Sequence, residues 1–386
     1  MLPELITDVP GPESRRLAGE LRRHESHNVT YVAPGWPVFW ERADGSNVWD
    51  ADGNRFLDFT GAFAVAGLGH GRREIVEAMC GQAGVLLHGM GDVHPTRLKS
   101  DLCRELSRIT FERWGEGPAK TVLSNSGFEA VETALKTAFL ATGRAGVVAF
   151  EGGYHGLGYG ALRGTGIRKF RDPFRAQLVD DTEWLRFPRQ AGELEDLERE
   201  LGKLPGDEVG MVLVEPIQGR GGVVIPPAGF LKLLRGWCDA HGALLVCDEI
   251  YTGFHRTGRL FACDWDGVVP DLLCLGKALS GGFPISACVG PARVMDCWPV
   301  SGGEALHTST FLGHPVGCAM ALEALRLHQN PGTEMMVSSV ASAMKSMLQG
   351  LARPEIREVR GRGALWAAEF EDPSLPGRLA EALLSH

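Results

Sequence analysis

From about residue 70 to residue 280 the chain alternates between short apolar runs and longer stretches with helical spacing. The runs are TVLSN (121–125), GVVAF (146–150), VGMVLVE (209–215), ALLVCDE (243–249) and DLLCLGK (271–277). They show little polar alternation, so both faces of each predicted strand need cover. Residues 127–142, 191–204 and 228–241 supply helices to cover them. The pattern predicts an α/β fold, a mainly parallel sheet wrapped by helices. Ahead of it, SRRLAGELRRHES (14–26) reads as a short helix and SNVWDADGNRFLDFT (46–60) as a hairpin around Asp52-Gly53. Beyond residue 311, GCAMALEALRLHQ (317–329) and residues 333–352 are helical in pattern, and ALWAAEFE (364–371) offers one more strand.

Composition narrows the setting. Apolar residues make up 44% and charged residues 23% of 386, ordinary for a globular protein with a sizeable core. The net charge of −9 argues against a nucleic-acid surface, which usually carries a basic excess. Nine cysteines are scattered and never form a CxxC pair, which fits a reduced intracellular protein better than a disulfide framework or a metal site. The N-terminus, MLPELITDVPGPESRR, lacks the apolar stretch of a signal peptide, and no segment approaches the roughly eighteen apolar residues of a membrane span. The expectation is a cytoplasmic protein without membrane or nucleic-acid partners.

Chemistry gathers at the strand ends. Ser126, Gly127, Tyr154, Glu215, Asp248 and Lys277 each lie at or just after the C-terminal end of a predicted strand or in the loop that follows. In open α/β sheets ligands bind outside those ends, so the residues point to one site. In SNSGFEAVETALKTA (124–138), Ser126 and Gly127 open a helix whose free N–H groups can bind a phosphate; an ordinary N-cap with Glu129 closing a capping box reads equally well. EGGYHGLGYG (151–160) lets backbone approach a flat ligand and offers Tyr154 to stack on it, or is only a tight loop with an anchoring tyrosine. Lys277 follows an apolar run, where a desolvated amine becomes a nucleophile; most lysines are simply solvated charges. LLVCDE (244–249) also suggests the acidic strand of a nucleotide hydrolase. The required glycine-lysine loop is absent: Asp271 stands where its first glycine belongs and Ala278 where its hydroxyl residue belongs.

Taken in order, NSGFEAVETALKTA, YHG, EPIQG, CDEIYTGFHRTG, LGKALSGGFPISA and HTSTFLGHPVGCAMALEAL resemble the class III aminotransferases of the ornithine and 4-aminobutyrate type, from about residue 30 to the last residue. The resemblance implies fold type I. A large domain (61–318) would hold a mainly parallel seven-stranded sheet, and an N-terminal segment with a hairpin (1–60) and a C-terminal part (319–386) would form a small α+β domain. It implies pyridoxal 5'-phosphate as cofactor, with Lys277 as the Schiff-base lysine and Asp248 beneath the pyridine nitrogen. Ser126, Gly127 and the backbone N–H of Phe128 would hold the phosphate, where the family usually has a smaller residue than Phe128. Tyr154 would stack on the ring with His155 and Gly156 in support, and Glu215 would lie beside the cofactor. Thr310 would reach the phosphate of a neighbouring subunit, which implies a homodimer with shared active sites. The reaction implied is ping-pong transfer of an amino group from an amine or ω-amino acid to an oxo acid such as 2-oxoglutarate or pyruvate. An aminomutase, a racemase, a dialkylglycine-type decarboxylase or an inert cofactor-binding relative would share the same motifs.

Two departures bear on substrate. Arg220 stands where relatives using 2-oxoglutarate often have a second glutamate, and could bind a substrate carboxylate or be a surface arginine. The chain stops some forty residues before the family usually does, so the expectation is a C-terminally shortened form without the usual carboxylate arginine. Phe63, in TGAFAVAGLGH, falls where relatives line the substrate pocket; a core position is an equal reading. Glu249 keeps no role in the chemistry and is expected to be structural.

Overall fold

The computed structural model describes residues 1–31, 33, 36–179, 181–351 and 353–385. Its centre is a seven-stranded sheet in the order β4-β10-β9-β8-β7-β5-β6. The strands are β4 (Ala119–Ser124), β5 (Gly146–Phe150), β6 (Thr182–Leu185), β7 (Val209–Val214), β8 (Leu244–Asp248), β9 (Leu272–Leu275) and β10 (Ser286–Pro291). Neighbours from β6 through β9 pair in parallel, and β10 runs antiparallel to both β9 and β4. Each apolar run thus became a strand covered on both sides. Alternate residues explain how: Val148, Val212, Leu245 and Leu273 face one core with Phe230, Leu234 and Trp237. Val147, Met211, Val246 and Leu272 face the other with Ala130, Val131 and Ala134. The helix Gly127–Thr142 buries small residues, Ala130, Ala134 and Ala138, so its axis lies close against the sheet.

Two strands were not foreseen. TEWL of β6 is short and partly polar, as an edge strand can be, since only one side needs pairing. β10 is needed because the chain returns from β9 within a short connection, which permits only an antiparallel neighbour. A correction follows for 271–277: the strand stops at Leu275, and Lys277 opens a tight 3-10 turn, Lys277–Leu279.

Before the central sheet, β1 (Trp40–Asp44), β2 (Asn47–Asp50) and β3 (Arg55–Leu57) form a separate antiparallel sheet, and β2–β3 is the expected hairpin. After it come the helices Pro315–His328 and Pro331–Gln349 and a hairpin of β11 (Ile356–Arg362) and β12 (Leu365–Phe370). The expected boundary after residue 318 falls inside the first of these helices. The second helix was expected over 333–352, and residue 352 lies outside the described residues. Only β12 was legible, because β11 (IREVRGR) is too rich in arginine to show an apolar pattern. Among the described residues no helix is long and apolar enough to cross a membrane.

The sheet's register depends in part on Asp271, whose carboxylate accepts hydrogen bonds from Arg235 Nη1 at 2.6 Å and from the Leu245 N–H at 2.8 Å. It ties the helix Phe230–His241 to two central strands at once. Asp271→Ala leaves both donors unmet in a largely buried position and is expected to cost about 2–4 kcal/mol. A fall of the urea midpoint without change in slope checks this; an unchanged midpoint would show that the strands hold register without it.

Candidate active site

The parallel strands all end at one edge of the sheet, and the turns leaving them carry the reactive groups. At the end of β4 the chain passes directly into the helix Gly127–Thr142, with Ser126 as N-cap. Glu129 folds back to accept the N–H groups of Asn125 at 3.0 Å and Ser126 at 2.8 Å. The N–H groups of Gly127 and Phe128, in the helix's first turn, have no helical carbonyl to bond and stand at the positive end of its dipole. A side chain at 127 would displace Ile250, whose Cδ1 would lie 2.9 Å from the added Cβ. The Phe128 ring packs against the facing loop: a Cβ at Gly158 would stand 2.5 Å from the ring, and one at Gly156 2.3 Å from Phe128 Cβ.

After β5 the glycine-rich loop places Tyr154 and His155. The Tyr154 N–H donates to Glu215 Oε2 at 3.0 Å, and its ring meets Phe170 edge-on at 5.6 Å. His155 is buried, with Nδ1 2.8 Å from Asp248 Oδ2. Asp248, the last residue of β8, also accepts the Ile250 N–H at 3.1 Å through Oδ1. Both carboxylate oxygens are thus engaged from the protein side, and lone pairs remain toward the cavity.

Glu215, at the end of β7, accepts a second N–H, from Gly219, at 3.2 Å. Burial pushes its pKa up to about 7; the His155 charge acts downward and the Asp248 charge upward. Lys277 is shifted the other way. Burial holds its amine below the usual lysine range, against the pull of the Asp248 and Glu215 carboxylates and helped by the Arg220 charge. Its backbone stands at φ +45°, in the left-handed region that side chains rarely adopt, a strain of the kind found at functional sites. Nζ lies 4.8 Å from the centroid of the Tyr251 ring.

One cavity of about 660 Å³ collects these groups: Gly127, Tyr154, Glu215, Asp248 and Lys277 line it. Phe128, His155, Phe63 and Arg220 line it as well. The Arg220 guanidinium lies 4.6 Å from the Tyr154 ring centroid and 4.9 Å from that of Phe170, against the edge-on pair that the two rings form. Ser126 sits one residue behind the wall as helix cap. Thr310 is outside the cavity, exposed on the segment whose Thr308 Oγ1 donates to Asp92 at 2.8 Å. Leu157, Ile250 and Tyr251 line the cavity and were not singled out beforehand. Tyr251 follows Asp248 by three residues, so the strand-end rule that found Asp248 could have reached it.

Glu249 faces away from this cavity. It is fully buried, accepts the Cys263 N–H at 2.8 Å, and is bonded by the Thr252 hydroxyl. Its role is to tie the loop after β8 together, as expected of a structural residue.

The donor set suits a flat ring that carries a phosphate, a basic nitrogen and a carbonyl, as pyridoxal phosphate does. The helix start would take the phosphate, the buried carboxylate the ring nitrogen, and the desolvated amine the carbonyl. Against known proteins, the family model for aminotransferase class III matches residues 31–384. A 4-aminobutyrate aminotransferase of Mycobacterium leprae is 34% identical, over 98% of this chain and 88% of its own. An acetylornithine aminotransferase of Methanopyrus kandleri is 36% identical, over 90% of this chain and 84% of its own. Among solved structures, an ornithine aminotransferase from Toxoplasma gondii superposes with a TM-score of 0.79 at 32% identity, covering 92% of this chain and 82% of that one. A PLP-bound amine transaminase from an uncultivated Pseudomonas species gives 0.80 at 30%, covering 88% and 82%.

Glu249 supplies a pH signature. Burial lifts its pKa to about 7, against the hydrogen bonds from Thr252, Ala262 and Cys263, whereas the ordinary value is 4.5. Between those values the folded chain keeps a proton that the unfolded chain has released. Its contribution to stability is therefore full below the ordinary value and lost as pH rises through about 7. Glu249→Gln, which is neutral throughout, is expected to lose less melting temperature than the parent between about pH 5 and pH 8. Parallel curves for the two proteins would mean that Glu249 is ionised throughout that range.

Proposed function

Because the chain belongs to the class III aminotransferases, we propose that Lys277 and Asp248 carry its chemistry, with the other cavity residues holding cofactor and substrate. The enzyme is a pyridoxal-phosphate-dependent transaminase, moving an amino group between an amine donor and an oxo acid in two half-reactions at one site. When bound, pyridoxal phosphate supplies a carbonyl for the amine and an electron-withdrawing ring for the carbon that loses its proton. The protein's part is binding and proton movement. Lys277, with a lowered pKa and a fixed backbone, would take the proton from the amine-bearing substrate carbon and return it to the carbon on the far side of the nitrogen, which belongs to the bound cofactor. Asp248 holds the ring nitrogen in its charged form, and His155 orients Asp248 from behind. Gly127, Phe128 and Ser126 receive the phosphate at the helix start, Tyr154 lies against the ring, and Glu215 sits beside it, poised near neutrality.

The observation that carries this reading is the meeting of a desolvated lysine and a buried, histidine-backed carboxylate at adjacent strand ends of one cavity. Thr310 serves the site of a second copy, in a homodimer with shared active sites. Support comes from the exposed apolar side chains of Leu87, Met90, Val93 and Phe311 around its segment, with His88 and Phe311 rings 5.2 Å apart. The enzyme works in the reducing cytoplasm, a reading supported by its nine free thiols.

Arg220 binds a substrate carboxylate. Its guanidinium rests against the Tyr154 and Phe170 rings, and no ion pair with an acidic side chain engages it among the described residues. The relatives named for 4-aminobutyrate and 5-aminovalerate point to donors that carry amine and carboxylate at opposite ends. Phe63 adds an apolar wall.

Three variants test these roles. Lys277→Ala should retain no cofactor after borohydride reduction; a reducible adduct in that variant would sink the lysine assignment. Asp248→Asn should still bind cofactor but turn over roughly 10²–10³ times more slowly, as loss of a preorganised charge does. Arg220→Met should raise KM for ω-amino acids by about ten- to a hundredfold and leave KM for uncharged amines nearly unchanged. Equal effects on both donor types would place the substrate carboxylate elsewhere. Steady consumption of an added oxo acid separates transamination from a rearrangement or decarboxylation on the same fold.

A further inference from the structure

The cavity wall formed by Phe63 rests on an uncommon backbone. Gly61, Ala62, Phe63 and Ala64 follow one another at φ +57°, +49°, +58° and +68°, a full turn of left-handed helix. Glycine takes that conformation freely, but Ala62, Phe63 and Ala64 bring Cβ atoms against the carbonyls that follow them. Something outside the turn must hold it.

Asp58 is that anchor. Its side chain is 1% exposed. Oδ1 accepts the Thr60 N–H at 2.8 Å, the Thr60 hydroxyl at 2.6 Å and the Gly61 N–H at 3.1 Å. Oδ2 accepts the Ala62 N–H at 3.0 Å and lies 2.7 Å from His70 Nε2. The N–H groups of residues 60, 61 and 62 converge on this one carboxylate, which fixes the chain entering the turn and the peptide joining Gly61 to Ala62. Burial works to raise the Asp58 pKa, and the hydrogen bonds from Thr60 and His70 outweigh it, so the group lies below the ordinary carboxylate value. The hub is itself tied to the small N-terminal sheet. The Asp58 N–H donates to the Ser46 carbonyl at 2.9 Å, and His70 exchanges two backbone hydrogen bonds with Gly45, at 2.8 and 2.9 Å. Arg256 closes the other side, with Nη2 3.3 Å from the position a Gly61 Cβ would take. At the end of this chain of contacts the Phe63 ring stands 75% exposed in the cavity.

We propose that Asp58, backed by His70, is a positioning residue that holds the left-handed turn 61–64 and so aims Phe63 at the substrate's apolar part. Asp58 touches neither cofactor nor substrate. It makes donor preference depend on the N-terminal sheet, far in sequence from Lys277 and Asp248. The inference rests on the reading of Phe63 as a substrate contact, and the experiment keeps the two apart.

The holoenzyme is compared as parent, Phe63→Ala, Asp58→Asn, and Asp58→Asn combined with Ala62→Gly and Ala64→Gly. Hydrogen exchange over residues 59–66 reads the turn, and KM and kcat with an aryl-bearing and a small aliphatic amine read the site. Cofactor affinity, titrated by absorbance on the apoenzyme, guards against a general defect. Asp58→Asn puts an NH₂ group where Oδ1 or Oδ2 accepts, and should speed exchange at 61–64. It should also raise KM for the aryl donor about five- to tenfold, matching Phe63→Ala, with kcat and cofactor affinity little changed. The two glycines, free to adopt positive φ, should recover much of that loss. Unchanged exchange in Asp58→Asn overturns the proposal, as does a loss of cofactor affinity that glycine does not repair. Faster exchange in Asp58→Asn with an unchanged aryl KM in Phe63→Ala leaves the anchor standing and overturns the substrate role of Phe63. Should Asp58→Asn fail to fold, His70→Ala, which removes one of the two partners of Oδ2, carries the same comparison in milder form.

Discussion

Asp248, Glu215 and Lys277 share one cavity with their side chains largely buried, and the balance among their charges is what the surrounding structure serves. Asp248 is buried between the His155 ring and the Ile250 amide, and its charge is felt by both Glu215 and Lys277. Burial pushes both Glu215 and Lys277 toward their neutral forms, so Asp248 is answered chiefly by His155, 2.8 Å away.

The sheet that makes this possible was readable because its strands are buried on both faces and so write uninterrupted apolar runs such as GVVAF and VGMVLVE. Asp248 and Glu215 were readable for a related reason: a charge placed straight after such a run must lie at a strand end. Pattern could not show β11, whose Arg357 and Arg360 are met by Glu369 across the hairpin. Nor could it show that Lys277 leaves the strand two residues early, since LGK continues the apolar run without a break. Arg220 was visible as a departure in sequence, but its contact with Tyr154 and Phe170 joins segments far apart in the chain.

Asp58 was hidden for a different reason. Nothing in LDFTGAFAVAG marks a carboxylate that collects backbone donors, because the signal lies in the sign of φ at three ordinary residues. Phe128 gives the opposite lesson. A bulky residue at a usually small position looks like a defect in the phosphate site until Gly158 is seen to make space for it. A side chain at Gly158 would meet the Phe128 ring at 2.5 Å, so that ring and that glycine depend on each other.

The antiparallel strand β10 has a consequence for how the lysine works. The chain leaves β9, makes its strained turn at Lys277, and returns beside the strand it left, so the lysine's backbone is clamped to the same sheet on both sides. A hinge or a lid cannot carry its amine. Any travel between cofactor and substrate has to come from rotation about the four bonds of its own side chain, which confines the proton it handles to a small arc and gives that transfer a fixed stereochemical face.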